Sequence, residues 1–312
     1  MRIASTLDYT NKAPSVVALG CFDGLHLGHR AVIGEARRIA DTLGCDLTVW
    51  TFEEPPKNFF APHSIPLITS QNEKKEEMRR LSVDLLVCVP FDQRIQALSA
   101  EAFFEEILLK RLKATHLVCG YNYSFGAGGR GNPALLETLC QKAGISLTTI
   151  PPVLRNGVAV SSSEIRRAIE EGRLSDATEL LGRPYSLTAP VVDGRKLGRT
   201  LGFPTLNQRF FRGALIPRHG VYLTRTAYDP QTPPIFGITN VGNRPTVGGH
   251  HLVAETHLFD FEGSLYGKEI TVEFLEFLRD EVPFESVEAL TEQVHRDMDR
   301  AKQIIASRFL YC

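Results

Sequence analysis

Gly20-Cys21-Phe22-Asp23-Gly24-Leu25-His26-Leu27-Gly28-His29 is the stretch on which the reading of this chain turns. Just before it, Ser15-Val16-Val17-Ala18-Leu19 is a short apolar run rich in β-branched residues. Just after it, residues 30–43 carry apolar side chains at helical spacing and stop at Gly44. The order is strand, turn, helix. In such a turn Gly20, Gly24 and Gly28 let a ligand approach the main chain closely. The helix start offers unpaired N–H groups and the positive end of its dipole to an anion. His26 and His29, three residues apart at that start, can point from adjacent turns toward one phosphate. A glycine-rich strand-to-helix turn with no ligand has the same look, so the remainder of the chain has to decide.

Outward from the turn, strands and helices alternate. Residues 46–52 read as a strand that ends at Pro55-Pro56, in a loop carrying Phe59 and Phe60. A charged helix over 71–81 leads to the apolar run 84–89, suited to a strand covered on both faces. A helix over 99–112, with Ser99 as N-cap, precedes a strand at 116–120, a glycine-rich loop at 121–131, a helix at 133–142 and a strand at 146–150. This predicts a doubly wound parallel α/β sheet with ligands at the carboxyl ends of its strands, where loops 20–29 and 121–131 both lie.

Past Gly182-Arg183-Pro184-Tyr185 the texture changes to short strands separated by glycine and proline turns, at 186–192, 220–228, 235–241, 252–261 and 268–278. A helix from about Ser286 follows, with Leu290, Val294, Met298, Ala301 and Ile305 along one face. The expectation is a small antiparallel β-barrel closed by a C-terminal helix. The 312 residues are therefore read as two domains, 1–184 and 185–312.

Two further stretches carry polar groups in patterns that suit phosphates. Ser161-Ser162-Ser163-Glu164-Ile165-Arg166-Arg167 fits a capping box, Ser161 with Glu164, and equally a helix start whose hydroxyls and N–H groups hold phosphates beside Arg166. In Gly194-Arg195-Lys196-Leu197-Gly198-Arg199-Thr200-Leu201-Gly202-Phe203-Pro204-Thr205-Leu206-Asn207, glycines alternate with basic residues, as in a phosphate-wrapping loop or a solvated turn. Thr205 and Asn207, two apart on an extended segment, share one face, and their neutral hard oxygens suit Mg²⁺.

The formal net charge is −1, which gives no electrostatic footprint for nucleic acid or a lipid surface. The six cysteines show no zinc-site spacing and read as reduced. There is neither a signal-peptide core at the start nor an apolar run long enough to span a bilayer, so a cytoplasmic protein is expected.

The His-x-Gly-His order resembles the signature of nucleotidyltransferases that share a fold with class I aminoacyl-tRNA synthetases. More narrowly, residues 20–29 resemble the bacterial bifunctional riboflavin kinase/FMN adenylyltransferase family. The resemblance extends to Ser161–Arg166, similar to that family's Ser-Ser-Thr-x-x-Arg with Ser163 in place of threonine, and to Gly202-Phe203-Pro204-Thr205-Leu206-Asn207, similar to its kinase motif. It implies riboflavin, FMN, FAD and ATP or ADP as ligands, ATP as co-substrate and Mg²⁺ as cofactor. His26, His29 and Arg166 would stabilise phosphates in adenylation, and Glu255 would be the base for the riboflavin hydroxyl. Gly20, Phe22, Gly24, Gly28, Ser162, Ser163, Asn122 and Phe125 would bind nucleotide and flavin in the first domain. Gly194, Lys196, Gly198, Gly202, Pro204, Thr205 and Asn207 would do so in the second, with Thr205 and Asn207 on the metal. Phe59, Tyr123 and Phe125 are the aromatic candidates for the flavin ring. The sequence departs from the family at Glu54 and Pro55, where proline and histidine are usual, and at Asn122, where aspartate is usual. That pattern leaves open a kinase whose first domain is a weak adenylyltransferase or a flavin-binding regulatory module. Homo-oligomerisation is also left open.

Overall fold

The computed structural model describes residues 1–194, 198, 202–246 and 249–309. Lys196, a candidate above, lies outside the described residues, as does Cys312. The chain divides into two compact units, Met1–Ser162 and Ser163–Cys312.

In the first unit β1 (Arg2–Ala4), β2 (Ser15–Leu19), β3 (Asp46–Phe52), β4 (Leu85–Val89), β5 (Ala114–Gly120) and β6 (Ser146–Ile150) form one sheet. Their order is β1-β4-β3-β2-β5-β6, and every neighbouring pair is parallel. Every residue of β2 and β4 is buried, which is why both read as unbroken apolar runs. The helix Leu27–Leu43 packs Ile33, Ala36 and Ala40 with Val16, Ala18 and Val49. A separate cluster holds Phe103, Phe104, Ile107 and Leu136 with Val17, Leu19 and Trp50. From β2 the chain moves to β3 on one side, and β5 later returns to pair with β2 on the other. The switch point of this doubly wound sheet therefore lies between the carboxyl ends of β2 and β5, where such sheets bind ligands.

One helix differs from expectation. Where the periodicity predicts an α-helix over 99–112, Ser99 does cap a turn at Ala100–Ala102, but Phe103–Arg111 then widens into a π-helix. Leu112 N donates to Ile107 O, five residues back, at 2.9 Å. The adjacent pairs Phe103-Phe104 and Ile107-Leu108 are all buried, and the wider turn lets both members of each pair face the core. A short hairpin, β7 (Leu154–Arg155) with β8 (Val158–Ala159), follows β6.

The helix Ser162–Glu170 starts at the last residue of the first unit and runs into the second, where the helix Leu174–Leu181 follows. Its strands are β9 (Tyr185–Pro190), β10 (Leu206–Arg209), β11 (Gly220–Ala227), β12 (Ile235–Thr246), β13 (Gly249–Leu258) and β14 (Glu269–Arg279). They form an antiparallel sheet of order β10-β13-β12-β11-β14-β9. The ring closes where Val192 N donates to Asn207 O at 2.8 Å, and Gln208 Nε2 reinforces the seam on Ala189 O at 2.8 Å and Ile270 O at 3.0 Å.

Side chains alternate between two faces. One face carries Tyr222, Phe274 and a buried hydroxyl chain, Thr224 to Thr239 to Thr256, each step 2.8 Å. The other carries Val221, Leu223 and Ile238, which pack on Val294, Met298 and Ala301 of the C-terminal helix Val287–Arg308. No helix among the described residues is long and apolar enough to cross a membrane.

Candidate active sites

Loop 20–29 joins β2 to the helix Leu27–Leu43 at the switch point. His26 is that helix's N-cap, its Nδ1 accepting from the His29 backbone N–H at 3.2 Å. With Nδ1 accepting, the proton of a neutral His26 ring sits on Nε2. The two imidazoles stack with centroids 3.6 Å apart and planes 16° apart, and Phe22 meets His29 edge-on at 5.2 Å. Phe22 is buried, and a Cβ added at Gly20 would stand 2.8 Å from its ring, so that position has room for hydrogen alone. A Cβ at Gly28 would crowd the His26 ring at 3.1 Å.

Phe22, Gly24 and Leu25 take φ of 50°, 83° and 43°. For Phe22 and Leu25 this left-handed backbone costs on the order of 1–3 kcal/mol each, and it persists because surrounding groups over-determine it. The Asp23 carboxylate accepts from Ile68 N at 3.1 Å and Thr69 N at 3.3 Å. Thr69 Oγ1 accepts from Gly24 N at 2.9 Å, and Thr51 Oγ1 donates to the Cys21 carbonyl at 2.8 Å. Ser162 Oγ donates to the Asp23 carbonyl at 3.0 Å. Asp23, 3 % exposed, is thus a strut for the loop and not a reacting group. Ser163 is exposed and Arg166 half-buried on the helix Ser162–Glu170.

The second unit holds a cavity of about 460 Å³. Its floor is a single row across the barrel, polar but for Val221. Asn207 on β10 faces Glu255 on β13, Glu255 faces Asn240 on β12, Asn240 faces Val221 on β11, and Val221 faces Arg279 on β14. All five line the cavity, on the face opposite the threonine chain. Two residues along β13, His257 lines it as well, and its Nδ1 donates to the Pro204 carbonyl at 3.0 Å. Gly198 and Thr205 complete the β10 side. A Cβ at Gly198 would meet the Phe203 carbonyl at 2.5 Å, and Gly202, exposed, has φ +85°.

The opposite wall is apolar, formed by Val282, Phe284, Leu290 and Val294. Arg279 is tied to it by Asp297, with Nε 2.9 Å and 3.0 Å from the two carboxylate oxygens and Nη2 2.8 Å from one of them. A neighbouring cavity of about 360 Å³ shares Thr205 and adds Pro204, Leu258, Phe261 and Tyr266.

The donor set fits Mg²⁺. A hydroxyl from Thr205, an amide oxygen from Asn207 and the Glu255 carboxylate face one cavity, and Mg²⁺ prefers a few hard oxygens and keeps several waters or phosphate oxygens. The site is shaped around Asn207, since a Cβ on Gly194 would lie 2.3 Å from its side-chain nitrogen.

Residues 8–164 match the FAD synthetase family and residues 181–305 the riboflavin kinase family. Over 307 residues the chain is 34% identical to the bifunctional riboflavin kinase/FMN adenylyltransferase of Escherichia coli (strain K12), with 97% of each chain covered. It is 36% identical over 294 residues to the protein of the same description from Pseudomonas fluorescens, with 93% of each covered. The chain belongs to the bifunctional riboflavin kinase/FMN adenylyltransferase family. A crystal structure described as a macrolide-efflux protein from Streptococcus pneumoniae has a TM-score of 0.86 at 29% identity, covering 96% of this chain and 98% of that one.

Where the chain departs from the family's usual residues, Glu54 has local work. Glu54 accepts from Asn58 Nδ2 at 3.0 Å, and Asn58 in turn accepts from Ile65 N at 2.9 Å, which folds residues 54–65 into a compact loop. Asn122 is exposed beside Gly120. Phe125 is buried and stacks on Tyr123 at 5.6 Å, while Phe59 is partly exposed and touches Phe60 and Phe91. Burial pushes the Tyr123 phenol well above its ordinary range.

Arg279, Asp297 and Phe284 were not singled out from the sequence. Asp297 had a signal there, since it stands on the apolar stripe of its helix, three residues after Val294 and four before Ala301.

Proposed function

We propose that this chain makes FMN from riboflavin in its second unit and FAD from FMN in its first, using ATP in both steps. The observation that supports the kinase assignment most directly is the row of Asn207, Glu255 and Asn240 on the floor of one cavity, the first two of them buried. Transfer of the ATP γ-phosphoryl to the ribityl hydroxyl runs through a loose transition state, so positioning and charge neutralisation carry the rate. The Glu255 carboxylate orients the hydroxyl and takes its proton late; it is too weak a base to remove it beforehand. Thr205 and Asn207 hold Mg²⁺, which neutralises phosphate charge when bound. The apolar wall of Phe284, Leu290 and Val294 takes the flat flavin ring, and the cavity beside Pro204, with Phe261 and Tyr266, takes the nucleotide base.

In the first unit the FMN phosphate attacks the α-phosphorus of ATP and expels pyrophosphate. The attacking oxygen is already anionic and needs no base. His26 and His29 at the helix start neutralise the phosphates. The balanced net charge offers no electrostatic footprint for nucleic acid, in keeping with small-molecule substrates.

The test is to incubate the purified protein with riboflavin, ATP and Mg²⁺ and separate the flavins over time. FMN followed by FAD supports both assignments. FMN alone, with FMN and fresh ATP in excess, removes the adenylation assignment, and no conversion removes both.

A further inference from the structure

Lys74, on the helix Gln71–Arg80, has no part in the chemistry above, yet it is 2 % exposed. Its Nζ reaches two backbone carbonyls, Phe52 O at 3.0 Å at the end of β3 and Cys21 O at 3.5 Å in loop 20–29. Among the described residues no carboxylate forms an ion pair with it. Glu73 accepts from the Ser70 backbone N–H in its capping box, and Glu77 is held by Arg30 and Arg80. Burying a cation without a counter-charge is expensive, and an apolar residue would fill that position on the helix at lower cost.

The two carbonyls show what the expense secures. Both stand at the carboxyl edge of the parallel sheet, the side on which such sheets bind ligands. The Cys21 carbonyl immediately precedes Phe22, the first left-handed residue of the loop, and is shared with Thr51 Oγ1. The ammonium thus holds the loop, and among the described residues the hydrogen-bond partners of its Nζ are these two carbonyls.

We propose that Lys74 is a positioning residue for adenylyl transfer, its buried ammonium holding the phosphate loop through the Cys21 and Phe52 carbonyls and gaining its counter-charge when the polyphosphate binds. This rests on the reading that loop 20–29 takes the phosphates. The ligand class is a di- or triphosphate, and the simplest probe is inorganic pyrophosphate.

The experiment uses the full chain with Lys74→Gln, Lys74→Arg and, in parallel, His29→Ala. Lys74→Gln keeps an N–H donor for the carbonyls and removes the charge, whereas Lys74→Arg keeps the charge and alters the reach. Pyrophosphate binding is measured by calorimetry, and kcat and KM for ATP with supplied FMN, while far-UV circular dichroism and thermal unfolding of the same samples report folding. Lys74→Gln should lose about tenfold in pyrophosphate affinity, the order expected for one unit charge acting through a partly shielded interior. Lys74→Arg should keep that affinity and lose kcat by up to about 10²-fold through misplacement of the loop. Parent-like pyrophosphate binding in Lys74→Gln, with His29→Ala impaired, overturns the proposal and leaves Lys74 a structural residue. Parent-like binding in His29→Ala overturns instead the reading of the loop. If Lys74→Gln does not fold, the arginine variant decides, and an unchanged kcat there is also a refutation.

Discussion

Asn207 lies directly opposite Glu255 across the β10–β13 ladder, and the two are only 6 % and 8 % exposed. Because strand register moves in whole residues, the amide proposed for the metal and the carboxylate proposed for the hydroxyl cannot drift apart by a fraction of a step. Gln208, one residue along, faces the barrel seam instead.

Glu255→Gln keeps size and hydrogen-bonding capacity but removes the proton acceptor. Riboflavin phosphorylation should fall by about 10²–10⁴-fold, while adenylation of supplied FMN continues. Flavin chromatography over time checks it, and equal loss of both activities would show the roles to be wrongly divided.

His29→Ala removes one of two stacked imidazoles from the helix start. FAD formation should drop by about 10²–10³-fold and FMN formation should persist, measured in the same assay.

Gly194→Ala introduces a methyl group where the Asn207 side chain now stands. The amide must move, so the Mg²⁺ concentration giving half-maximal kinase rate should rise several-fold. A magnesium titration of both activities tests this, and only the kinase curve should shift.

Asp297→Ala strands the Arg279 guanidinium at the wall of the cavity. Asp297 has a side chain only 6% exposed and Arg279 20%, so the loss should fall toward the lower end of the roughly 3–5 kcal/mol typical of a broken buried pair. Thermal unfolding should show it, with a raised KM for riboflavin.

His116 gives the pH dependence a defined sign. Burial holds its imidazole below the ordinary histidine pKa, with the Arg38 charge adding to the effect and Glu35 opposing it. Nε2 lies 2.8 Å from Thr148 Oγ1. The unfolded chain therefore takes up the proton first as pH falls. The stabilisation is present above about 6.5, shrinks as pH drops through that value toward the folded pKa, and levels off below it. Urea midpoints between pH 8 and pH 5 should fall less steeply in His116→Gln than in the parent.

Much of this was legible in the sequence because periodicity and turn chemistry are local. The buried runs of β2 and β4, the helix start at His26 and the change of texture near Tyr185 all follow from neighbouring residues. The π-helix escaped because its wider turn answers to a core shared with Trp50 and Leu136, distant in sequence. The row from Asn207 to Arg279 escaped for a similar reason, since it is a product of register among strands and no stretch of sequence contains it. Lys74 was hidden in a helix that reads as charged throughout, and only burial distinguishes it from its neighbour Lys75.

The seam of the barrel has a last implication. Asn207 shuts the ring with its backbone carbonyl and turns its side chain to the cavity, so closing the structure and assembling the floor proposed for the kinase are one event. Kinase turnover is therefore a gauge of ring closure: a perturbation that opens the seam silences phosphorylation while the rest of the sheet is still paired, and enzymatic assay becomes a more sensitive reporter of that local opening than any spectroscopic average over the fold.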